Sequence, residues 1–370
     1  MSFYDEYISY SWQEIGKQIY QSTPQDVARA MATDGEGTLA DFMALVSPAA
    51  DNFLEQMAQK SHWLTQKRFG NTMQLYIPLY LSNACTNGCV YCGFNQHNKI
   101  TRKTLTPGEI EEEAAAIKQM GFDHLLLVTG EHPREAGFDY LKAAMQQLQQ
   151  HFAHLSVEVQ PMNTDEYKAL ALEGLNTVYI YQETYNKSRY SIYHPRGKKA
   201  DFRYRLETPD RLGKADVHKI GLGALLGLED WRIETVFMAL HLRYLQKHYW
   251  KTRYSVAFPR LRPHAGSFQP QHPVNDRQLV QLITAWRLFD ENIELSLTTR
   301  EAPYFRDHAC QLGITSMSAG SRTEPGGYAH PNKELPQFDV SDARSPETLA
   351  GKLQSLGYEA VWKDWDQALQ

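Results

Sequence analysis

The feature of this sequence that most restricts its fold is a regular alternation of short β-type segments with longer helical segments. The β-type segments number eight and lie at residues 75–81, 124–129, 155–160, 177–182, 217–220, 254–258, 293–298 and 315–318. Helical patterns lie between most of them, and one begins at Pro107, where an early proline and acidic residues favour initiation. Alternating strands and helices predict parallel βα units, and eight such units predict a closed (β/α)8 barrel of the TIM type. A doubly wound open sheet is the main alternative.

Two further segments flank the predicted barrel, which occupies residues 71–330. Residues 1–70 are predicted to form an N-terminal helical extension, with helix starts at Thr23-Pro24 and Ser47-Pro48. Residues 331–370 form a C-terminal segment that is polar at first. We expect this segment to end in a helix that packs on the outside of the barrel.

Composition narrows the class of protein. The chain has 370 residues, of which 42% are hydrophobic and 22% charged, as in a globular protein with a large core. The net charge of -5, without a run of Lys or Arg, argues against a nucleic-acid partner. The N-terminal residues lack the basic and apolar regions of a secretory signal, and no apolar run reaches the roughly 20 residues that span a membrane. The sequence therefore predicts a cytoplasmic protein with no membrane partner.

The cysteines form a metal-binding pattern. Three of the four, Cys85, Cys89 and Cys92, fall within eight positions directly after the first predicted strand. A disulfide framework would spread its cysteines through a short secreted chain, so thiolates gathered for a metal are the better interpretation. A zinc site with His97 as fourth ligand is the alternative, but structural zinc loops usually bring two separated pairs of ligands. Three thiolates are one fewer than a closed Cys₄ site needs, which favours an iron–sulfur cluster with an open position.

The spacing C-x₃-C-x-aromatic-C, with Tyr91 as the aromatic residue, resembles the signature of the radical S-adenosylmethionine (SAM) superfamily. The resemblance implies that Cys85, Cys89 and Cys92 hold three irons of a [4Fe–4S] cluster, one per chain, and that SAM completes the fourth. It also implies that SAM is cleaved reductively to a radical, with no catalytic side chain beyond the cluster and that radical.

The same resemblance implies a set of residues that hold SAM. Thr129-Gly130-Glu131 resembles the family's Gly-Gly-Glu element, with Thr129 in place of the first glycine, and Arg205, with Arg203 as its rival, could pair with the SAM carboxylate. The full set of predicted SAM-binding residues is Tyr91, Gly130, Glu131, Glu183, Arg205, Gly221 and Gly223. The two last glycines belong to an element expected to follow the fifth strand and to pass close to adenine.

Longer stretches at residues 185–195, 198–205, 220–231, 258–261 and 318–328 resemble the tyrosine-cleaving branch, which includes the 2-iminoacetate synthases (ThiH) and the hydrogenase maturase HydG. This branch cleaves the Cα–Cβ bond of L-tyrosine to 2-iminoacetate (dehydroglycine) and p-cresol, while SAM becomes methionine and 5′-deoxyadenosine. HydG carries further C-terminal cysteines, whereas this sequence has none after Cys310, which is expected to be a buried, inert thiol. The resemblance therefore favours the thiamine-pathway branch, with the thiazole synthase ThiG and a flavodoxin-type electron donor as expected partners.

Two residues are predicted to bind the substrate. Arg300 follows the seventh predicted strand and Ser318 ends the eighth, so both should lie at the same end of the barrel as the cysteines. The resemblance implies that Arg300 anchors the carboxylate of the amino acid, with Ser318 assisting; the alternative is that Arg300 pairs with Glu301 or another carboxylate at the rim of the barrel. Two other functions stay open: a radical SAM lyase for another aromatic amino acid, such as tryptophan, and a non-catalytic zinc or iron–sulfur scaffold.

Overall fold

Eight parallel strands close into a barrel in the computed structural model of the chain, which describes residues 2–331 and 336–363. Each strand pairs with the next along the chain, and the eighth returns to pair with the first. The strands are β1 (Thr72–Ser82), β2 (His124–Thr129), β3 (His154–Glu158), β4 (Leu175–Glu183), β5 (Lys219–Ala224), β6 (Arg253–Ala257), β7 (Glu294–Leu297) and β8 (Ser316–Ser318). The closed (β/α)8 barrel is therefore confirmed, and the open sheet is wrong.

Each predicted strand overlaps its observed counterpart, but β5 differs in a way that matters. The sequence placed this strand at residues 217–220, whereas it runs from Lys219 to Ala224. Gly221 and Gly223 consequently lie within the strand and not after it, opposite Tyr179 and Tyr181 of β4. The prediction that these glycines follow the fifth strand was wrong, because the strand ends four residues later than predicted.

Strand β1 shows how the barrel divides its side chains. Leu75, Ile77, Leu79 and Leu81 are fully buried against the surrounding helices. The alternating residues Tyr76 and Tyr80 point to the other face and join an aromatic cluster with Tyr179 of β4. Because successive residues of a strand face opposite sides, this pattern fills the outer core with leucine and isoleucine and lines the barrel interior with tyrosine.

Helices enclose the barrel and form the N-terminal extension. The extension contains α1 (Phe3–Tyr7), α2 (Trp12–Gln21), α3 (Pro24–Met31), α4 (Leu39–Val46), a 3-10 helix (Pro48–Phe53) and α5 (Leu54–Phe69). The remaining helices are α6 (Pro107–Gln119), α7 (Phe138–Leu148), α8 (Thr164–Ala171), α9 (Lys187–Tyr193), a second 3-10 helix (Lys198–Ala200), α10 (Phe202–Leu206), α11 (Thr208–Lys214), α12 (Trp231–His248), α13 (Asp276–Phe289), α14 (Pro303–Ala309) and α15 (Pro346–Ser355). The predicted starts at Pro24 and Pro107 are confirmed, each with a capping box from the preceding threonine.

The N-terminal extension packs on the barrel helices. Helices α4 and α5 pack on α13, and α1 and α2 pack on α12. The ring of Phe3 stacks on His241 at a centroid distance of 3.9 Å, and the Tyr7 hydroxyl donates to the Tyr185 carbonyl over 2.7 Å. Because Tyr185 follows β4 by two residues, the extension supports the end of a barrel strand directly.

The C-terminal segment contains the expected helix, α15, and also a short strand that the sequence analysis missed. This strand, β9 (Glu359–Val361), pairs in parallel with Thr72–Gln74 at the start of β1. Asp123, just before β2, donates its backbone N–H to the Trp362 carbonyl over 3.3 Å. Strand β9 therefore fills the gap between β1 and β2 at the N-terminal end of the barrel. The part of the prediction that falls on residues 332–335 and 364–370 lies outside the described residues.

None of the helices within the described residues is long and apolar enough to cross a membrane.

Candidate active site

The three clustered cysteines lie in the loop that follows β1, at the C-terminal mouth of the barrel. Arg102 holds this loop through hydrogen bonds from its guanidinium to the carbonyls of Asn83, Phe94 and Asn95, at 2.7–2.8 Å. These bonds satisfy backbone groups that no strand or helix pairs, so the loop is ordered without regular structure. Arg102 therefore fixes the backbone on both sides of the cysteines.

Cys85, Cys89 and Cys92 line one cavity. Burial raises the pKa of Cys85 to about 11 and raises those of Cys89 and Cys92 as well, while Lys199 acts to lower the latter two. Cys310 is fully buried at the end of α14 and does not line this cavity, as the sequence predicts for an inert thiol.

Glycine at position 130 brings the end of β2 against the cysteine loop. A Cβ atom at this position would lie 2.2 Å from the Ala84 carbonyl oxygen, so only glycine allows the two backbones to approach. The Thr129 hydroxyl lines the same cavity and is buried with no hydrogen-bond partner among the described residues. The Thr129-Gly130-Glu131 element therefore brings its backbone into contact with the cysteine loop, and it carries a hydroxyl, on Thr129, that has no hydrogen-bond partner among the described residues.

An ion-pair network occupies the side of the cavity formed by the ends of β2 and β4. Arg205 Nη1 lies 2.9 Å from Glu131 Oε1, and Lys199 Nζ lies 2.6 Å from Glu183 Oε1. Arg205 also donates through Nε to the Tyr181 carbonyl over 2.7 Å. Burial and Arg205 act to lower the pKa of Lys199, but Glu183, Cys89 and Glu131 act together to raise it and the net shift is upward, so Lys199 stays charged. The network gives the cavity both carboxylate and cationic groups at fixed positions.

The structure separates the two arginines that the sequence left as rivals. Arg205 is buried in the cavity wall, whereas the Arg203 side chain is 57% exposed and pairs with Glu207 at 2.9 Å. The Arg203 guanidinium also lies over the ring of Tyr4, 4.5 Å from its centroid. Arg203 therefore belongs to the junction with the N-terminal extension, and Arg205 belongs to the cavity.

Tyr91, predicted to contact SAM, lies in the cavity wall between two cysteines of the motif. Its hydroxyl is 2.6 Å from His194 Nε2, and His194 Nδ1 is 2.9 Å from the Tyr190 carbonyl. Because the carbonyl can only accept, the His194 proton is on Nδ1 and Tyr91 donates to Nε2. Burial lowers the pKa of His194 well below its usual value, which agrees with a neutral ring.

Gly221 and Gly223 do not line this cavity; they make room for tyrosines that do. A Cβ atom on Gly221 would lie 2.1 Å from Tyr179 Cδ1, and one on Gly223 would lie 2.5 Å from Tyr181 Cδ1. Both tyrosines line the cavity. The glycines thus place aromatic rings across the neighbouring strand, a function that sequence spacing alone does not reveal.

A second, largely apolar pocket adjoins the first and extends into the barrel. Its aromatic lining comes from Tyr76, Tyr80, Tyr179, Tyr181 and Phe338. Arg300 and Ser318, the predicted substrate residues, both line it, and the Arg300 guanidinium lies 3.4 Å from the centroid of the Phe338 ring. The two predicted residues therefore come together, at the place predicted for them.

The alternative partner of Arg300 is wrong. Glu301 faces away from it and pairs with Arg260 and, at 3.1 Å, with Arg262. No carboxylate within the described residues lies at ion-pair distance from Arg300. Its guanidinium therefore remains available to an anionic ligand.

Sequence analysis missed several residues that line the cavities. Lys199 lies inside a stretch noted only for its resemblance, Glu158 ends β3, and Gln337 follows the undescribed residues 332–335. Gln337 accepts from the Tyr80 hydroxyl over 2.8 Å and lies with Nε2 3.7 Å from Cys92 Sγ. The strand-end position of Glu158 was a usable signal, whereas nothing in the local sequence around Gln337 indicates a return to the cysteines.

The fold and the cavity together define a radical SAM protein: a (β/α)8 barrel whose first strand leads into a loop with three thiols and no fourth. The sequence profile of the Radical SAM superfamily matches residues 79–240, and that of the Biotin and Thiamin Synthesis associated domain matches residues 257–359. The chain is 51% identical to the 2-iminoacetate synthase of Escherichia coli (strain K12) over 369 residues, covering 100% of this chain and 98% of that protein. It belongs to the 2-iminoacetate synthase family.

Other relatives agree with this assignment. The 2-iminoacetate synthase of Salmonella typhimurium (strain LT2) is 50% identical, again over 100% of this chain and 98% of that protein. A crystal structure of HydG, a maturase of the [FeFe]-hydrogenase, superposes with a TM-score of 0.90 at 30% identity and covers 95% of this chain and 79% of that one. Methylornithine synthase (PylB) shares the fold, with a TM-score of 0.73 at 20% identity.

Family membership implies a [4Fe–4S] cluster and SAM as cofactors, and the residues present fit both. Three thiols face one cavity, whose lining also carries four basic residues, namely Lys199, Arg205, Arg262 and Arg300, and three carboxylates, namely Glu131, Glu158 and Glu183. The zinc alternative fits poorly, because His97 is exposed and does not line the cavity. Within the described residues, no three His, Cys, Asp or Glu side chains converge closely enough to hold a single ion.

Proposed function

We propose that this chain is a radical SAM lyase that cleaves the Cα–Cβ bond of L-tyrosine to 2-iminoacetate (dehydroglycine) and p-cresol, with SAM converted to methionine and 5′-deoxyadenosine. The observation that carries the proposal is the aromatic pocket with an unpaired arginine, directly beside the cavity of the three cysteines. The full-length likeness to the 2-iminoacetate synthases supports the same activity.

The cysteine cavity would hold both cofactors. Cys85, Cys89 and Cys92 would bind the cluster, and the SAM methionine moiety would meet the Gly130 backbone and the charged groups of Glu131 and Arg205. The ends of β4 and β5 lie on the side left for the nucleoside, where the carboxylate of Glu183 can accept from ribose hydroxyls. Cluster and SAM, when bound, supply a primary carbon radical that removes a hydrogen atom from the substrate.

The side chains of the chain itself bind and orient the substrate. Arg300 presents a planar guanidinium, stacked on Phe338, that suits a carboxylate through two parallel hydrogen bonds. The Ser318 hydroxyl accepts from the Thr299 backbone N–H over 3.0 Å and so positions the segment that carries Arg300. The tyrosines of β1 and β4 form an apolar slot for the aromatic ring. These contacts hold the amino group of the substrate near the mouth of the cysteine cavity, as a hydrogen transfer requires.

The pathway and partners follow from this activity. Its unstable imine product fits a role in supplying the thiazole of thiamine, with direct transfer to a thiazole synthase of the ThiG type. Cluster reduction calls for an electron donor such as a flavodoxin. A reducing cytoplasm suits all four cysteines, which are free within the structure.

A lyase for tryptophan or a HydG-like activity is the alternative within the same class. The HydG structure matches at 30% identity over 79% of its length, against 98% of the length of the 2-iminoacetate synthases at 50–51%. This difference favours the tyrosine lyase that supplies 2-iminoacetate.

The test is product analysis with the anaerobically reconstituted enzyme, SAM and a chemical reductant. We expect p-cresol and 2-iminoacetate from L-tyrosine, and no indole-derived product from L-tryptophan. In Arg300→Lys, which keeps the charge but loses the planar fork, p-cresol should fall roughly tenfold or more while uncoupled 5′-deoxyadenosine persists. The matched control is Arg203→Lys, on the surface, which should retain turnover. Wild-type enzyme that cleaves SAM without producing p-cresol would overturn the proposal.

A further inference from the structure

Two charged residues, one anionic and one cationic, line the aromatic pocket. These are Glu158, the last residue of β3, and Arg300. Both residues also line the cysteine cavity, so they stand where the two cavities join. The rest of the pocket lining is aromatic, aliphatic, hydroxyl-bearing or amide. A ligand that spans the junction therefore meets one negative and one positive group there, and apolar surface beyond.

Glu158 differs from the other carboxylates of the site in having no partner. Glu131 is paired with Arg205 at 2.9 Å, and Glu183 is paired with Lys199 at 2.6 Å. The Glu158 carboxylate forms no hydrogen bond or ion pair with any side chain in the described residues. A carboxylate held in a cavity without a partner is costly, so its natural complement is a donor that arrives with the ligand.

We propose that Glu158 binds the α-ammonium group of the amino-acid substrate and accepts a proton from it. This inference rests on the proposed function and adds a base to the reaction. The N–H bond of the ammonium breaks, an O–H bond forms on Glu158, and the substrate is left with a neutral amine and its carboxylate on Arg300. No electrons are transferred in this step. A neutral amine is the form from which a hydrogen atom can then be removed at nitrogen.

The placement of the two charges favours the amino group of the substrate over its phenol as the partner of Glu158. An amino acid carries its ammonium and carboxylate on one carbon, and both charged residues stand together at the junction. Tyr76 and Tyr80 of β1 line the aromatic pocket but not the cysteine cavity, and the aromatic ring of the substrate would go on their side. With the carboxylate on Arg300, the amino group faces Glu158 and the cysteine cavity.

The surroundings of Glu158 suit a proton acceptor near neutral pH. Burial, with the like charge of Glu183, raises the pKa of Glu158 to about 7, while Arg300, Lys199 and Arg205 act to lower it. The titratable and charged groups that face it from the neighbouring elements are Tyr76 and Tyr80 of β1, Tyr179, Tyr181 and Glu183 of β4, Lys199 and Arg205 of the segment that follows α9, and Arg300. Burial raises the pKa of Tyr76 to about 12 and raises those of Tyr80, Tyr179 and Tyr181 well above their usual value, so these phenols stay neutral and leave Glu158 to titrate.

The experiment compares wild type with Glu158→Gln, in the reconstituted holoenzyme with SAM and without reductant, so that no turnover occurs. Equilibrium binding is measured for L-tyrosine, for 3-(4-hydroxyphenyl)propanoate, which lacks the amino group, and for L-phenylalanine, which lacks the phenol hydroxyl. We expect wild type to prefer L-tyrosine over the desamino analogue roughly tenfold to a hundredfold, and Glu158→Gln to lose that preference. The preference for L-tyrosine over L-phenylalanine should be unchanged.

Turnover with reductant provides the second measurement. In Glu158→Gln the rate of p-cresol formation should fall about a hundredfold or more, as for loss of a general base. The rate of p-cresol formation by wild type should rise as the pH increases through about 7, because Glu158 loses its proton there. This rise should be absent from the pH profile of Glu158→Gln. Glu158→Asp should recover part of the rate. Glu112→Gln, on the exposed face of α6 with its side chain 57% exposed, is the control and should match wild type.

The outcomes separate this inference from the proposed function. If wild type forms p-cresol and Glu158→Gln keeps both the ammonium preference and the rise of the rate with pH, the role of Glu158 is wrong and the lyase proposal stands. A loss of the L-tyrosine over L-phenylalanine preference would place Glu158 at the phenol instead. If wild type binds L-tyrosine with the expected preference but forms no p-cresol, the proposed function fails by itself.

Discussion

The four cysteines of this chain lie in two different environments. Three line one cavity at the mouth of the barrel, and Cys310 is buried against α14 and the helices around it. A site-differentiated cluster needs three protein thiolates, because two cannot hold three irons.

Replacement of Cys85, Cys89 or Cys92 by Ala should therefore reduce bound iron and sulfide to background after anaerobic reconstitution. Cys310→Ala is the matched control and should keep wild-type iron content with a modest loss of stability. Iron and sulfide analysis together with the visible spectrum measures both. Cluster retained in Cys92→Ala but lost in Cys310→Ala would contradict the ligand assignment.

Glu234 is a buried carboxyl at the start of α12 that accepts from the Thr184 hydroxyl and, over 2.7 Å, from the Tyr185 backbone N–H. Burial raises its pKa to about 8, against 4.5 for an unperturbed glutamate. The protonated form is thus favoured in the folded state. The stability that this contributes is complete below pH 4.5 and is lost as the pH rises through about 8.

Relative to Glu234→Gln, wild type should lose on the order of 3 kcal/mol of unfolding free energy between pH 5 and pH 8.5. Urea denaturation of both proteins at the two pH values, followed by circular dichroism, measures the difference. An equal pH dependence in wild type and variant would show that Glu234 titrates normally. Glu112→Gln should show no such differential change.

At the scale of elements, the register of β4 against β5 decides the shape of the aromatic pocket. Gly221 and Gly223 lie opposite Tyr179 and Tyr181, and each glycine leaves the space that a tyrosine ring occupies. The register depends on how the two strands pair in the folded protein. The sequence therefore reveals the glycines but not the tyrosine rings that fill the space beside them.

Gly221→Ala should consequently destabilise the protein by about 1–3 kcal/mol and weaken tyrosine binding, because the new methyl group displaces Tyr179. Gly351→Ala is the matched control: Gly351 lies inside α15 with nothing within 4 Å of the added Cβ, and alanine there should stabilise by roughly 0.5–1 kcal/mol. Urea midpoints give both values. A Gly221→Ala protein as stable as wild type would mean that Tyr179 moves without cost.

Hydrophobic patterning placed all eight barrel strands, since buried parallel strands are distinct in composition from the amphipathic helices between them. The cysteines, Glu131, Glu183, Arg205, Arg300 and Ser318 were found because strand ends of a barrel meet at one face and because their motifs are short and local. Lys199, Gln337 and Phe338 were not, since each reaches the cavity from a segment whose own sequence carries no signal of that destination. Strand β9 was missed because its 3 residues lie in a C-terminal segment that the sequence predicted to end in a helix.

At the scale of the whole molecule, the N-terminal extension and the barrel are one packed unit. Phe3 is fully buried, stacks on His241 of α12, and donates its backbone N–H to Asp210 over 3.1 Å. Ile8, five residues later, is 61% exposed.

Phe3→Ala should therefore cost about 3–5 kcal/mol and lower the melting temperature of the whole chain in a single transition. Ile8→Ala, the control, should change stability by no more than about 0.5 kcal/mol. Differential scanning calorimetry distinguishes the two. A separate early transition in Phe3→Ala would show instead that the extension unfolds apart from the barrel.

The position of β9 has a consequence for how the polypeptide is made. The start of β1, at Thr72–Gln74, finds its neighbour at Glu359–Val361, nearly the whole length of the chain away. While the ribosome is still adding residues, the barrel has an open seam at its base, and the first strand waits there with an unpaired edge. That edge stays open until residues 359–361 have been made and have folded back, because contacts so distant in sequence form late and slowly. An unpaired strand edge is a template for pairing with other chains, so the nascent protein is exposed to association at this seam until then.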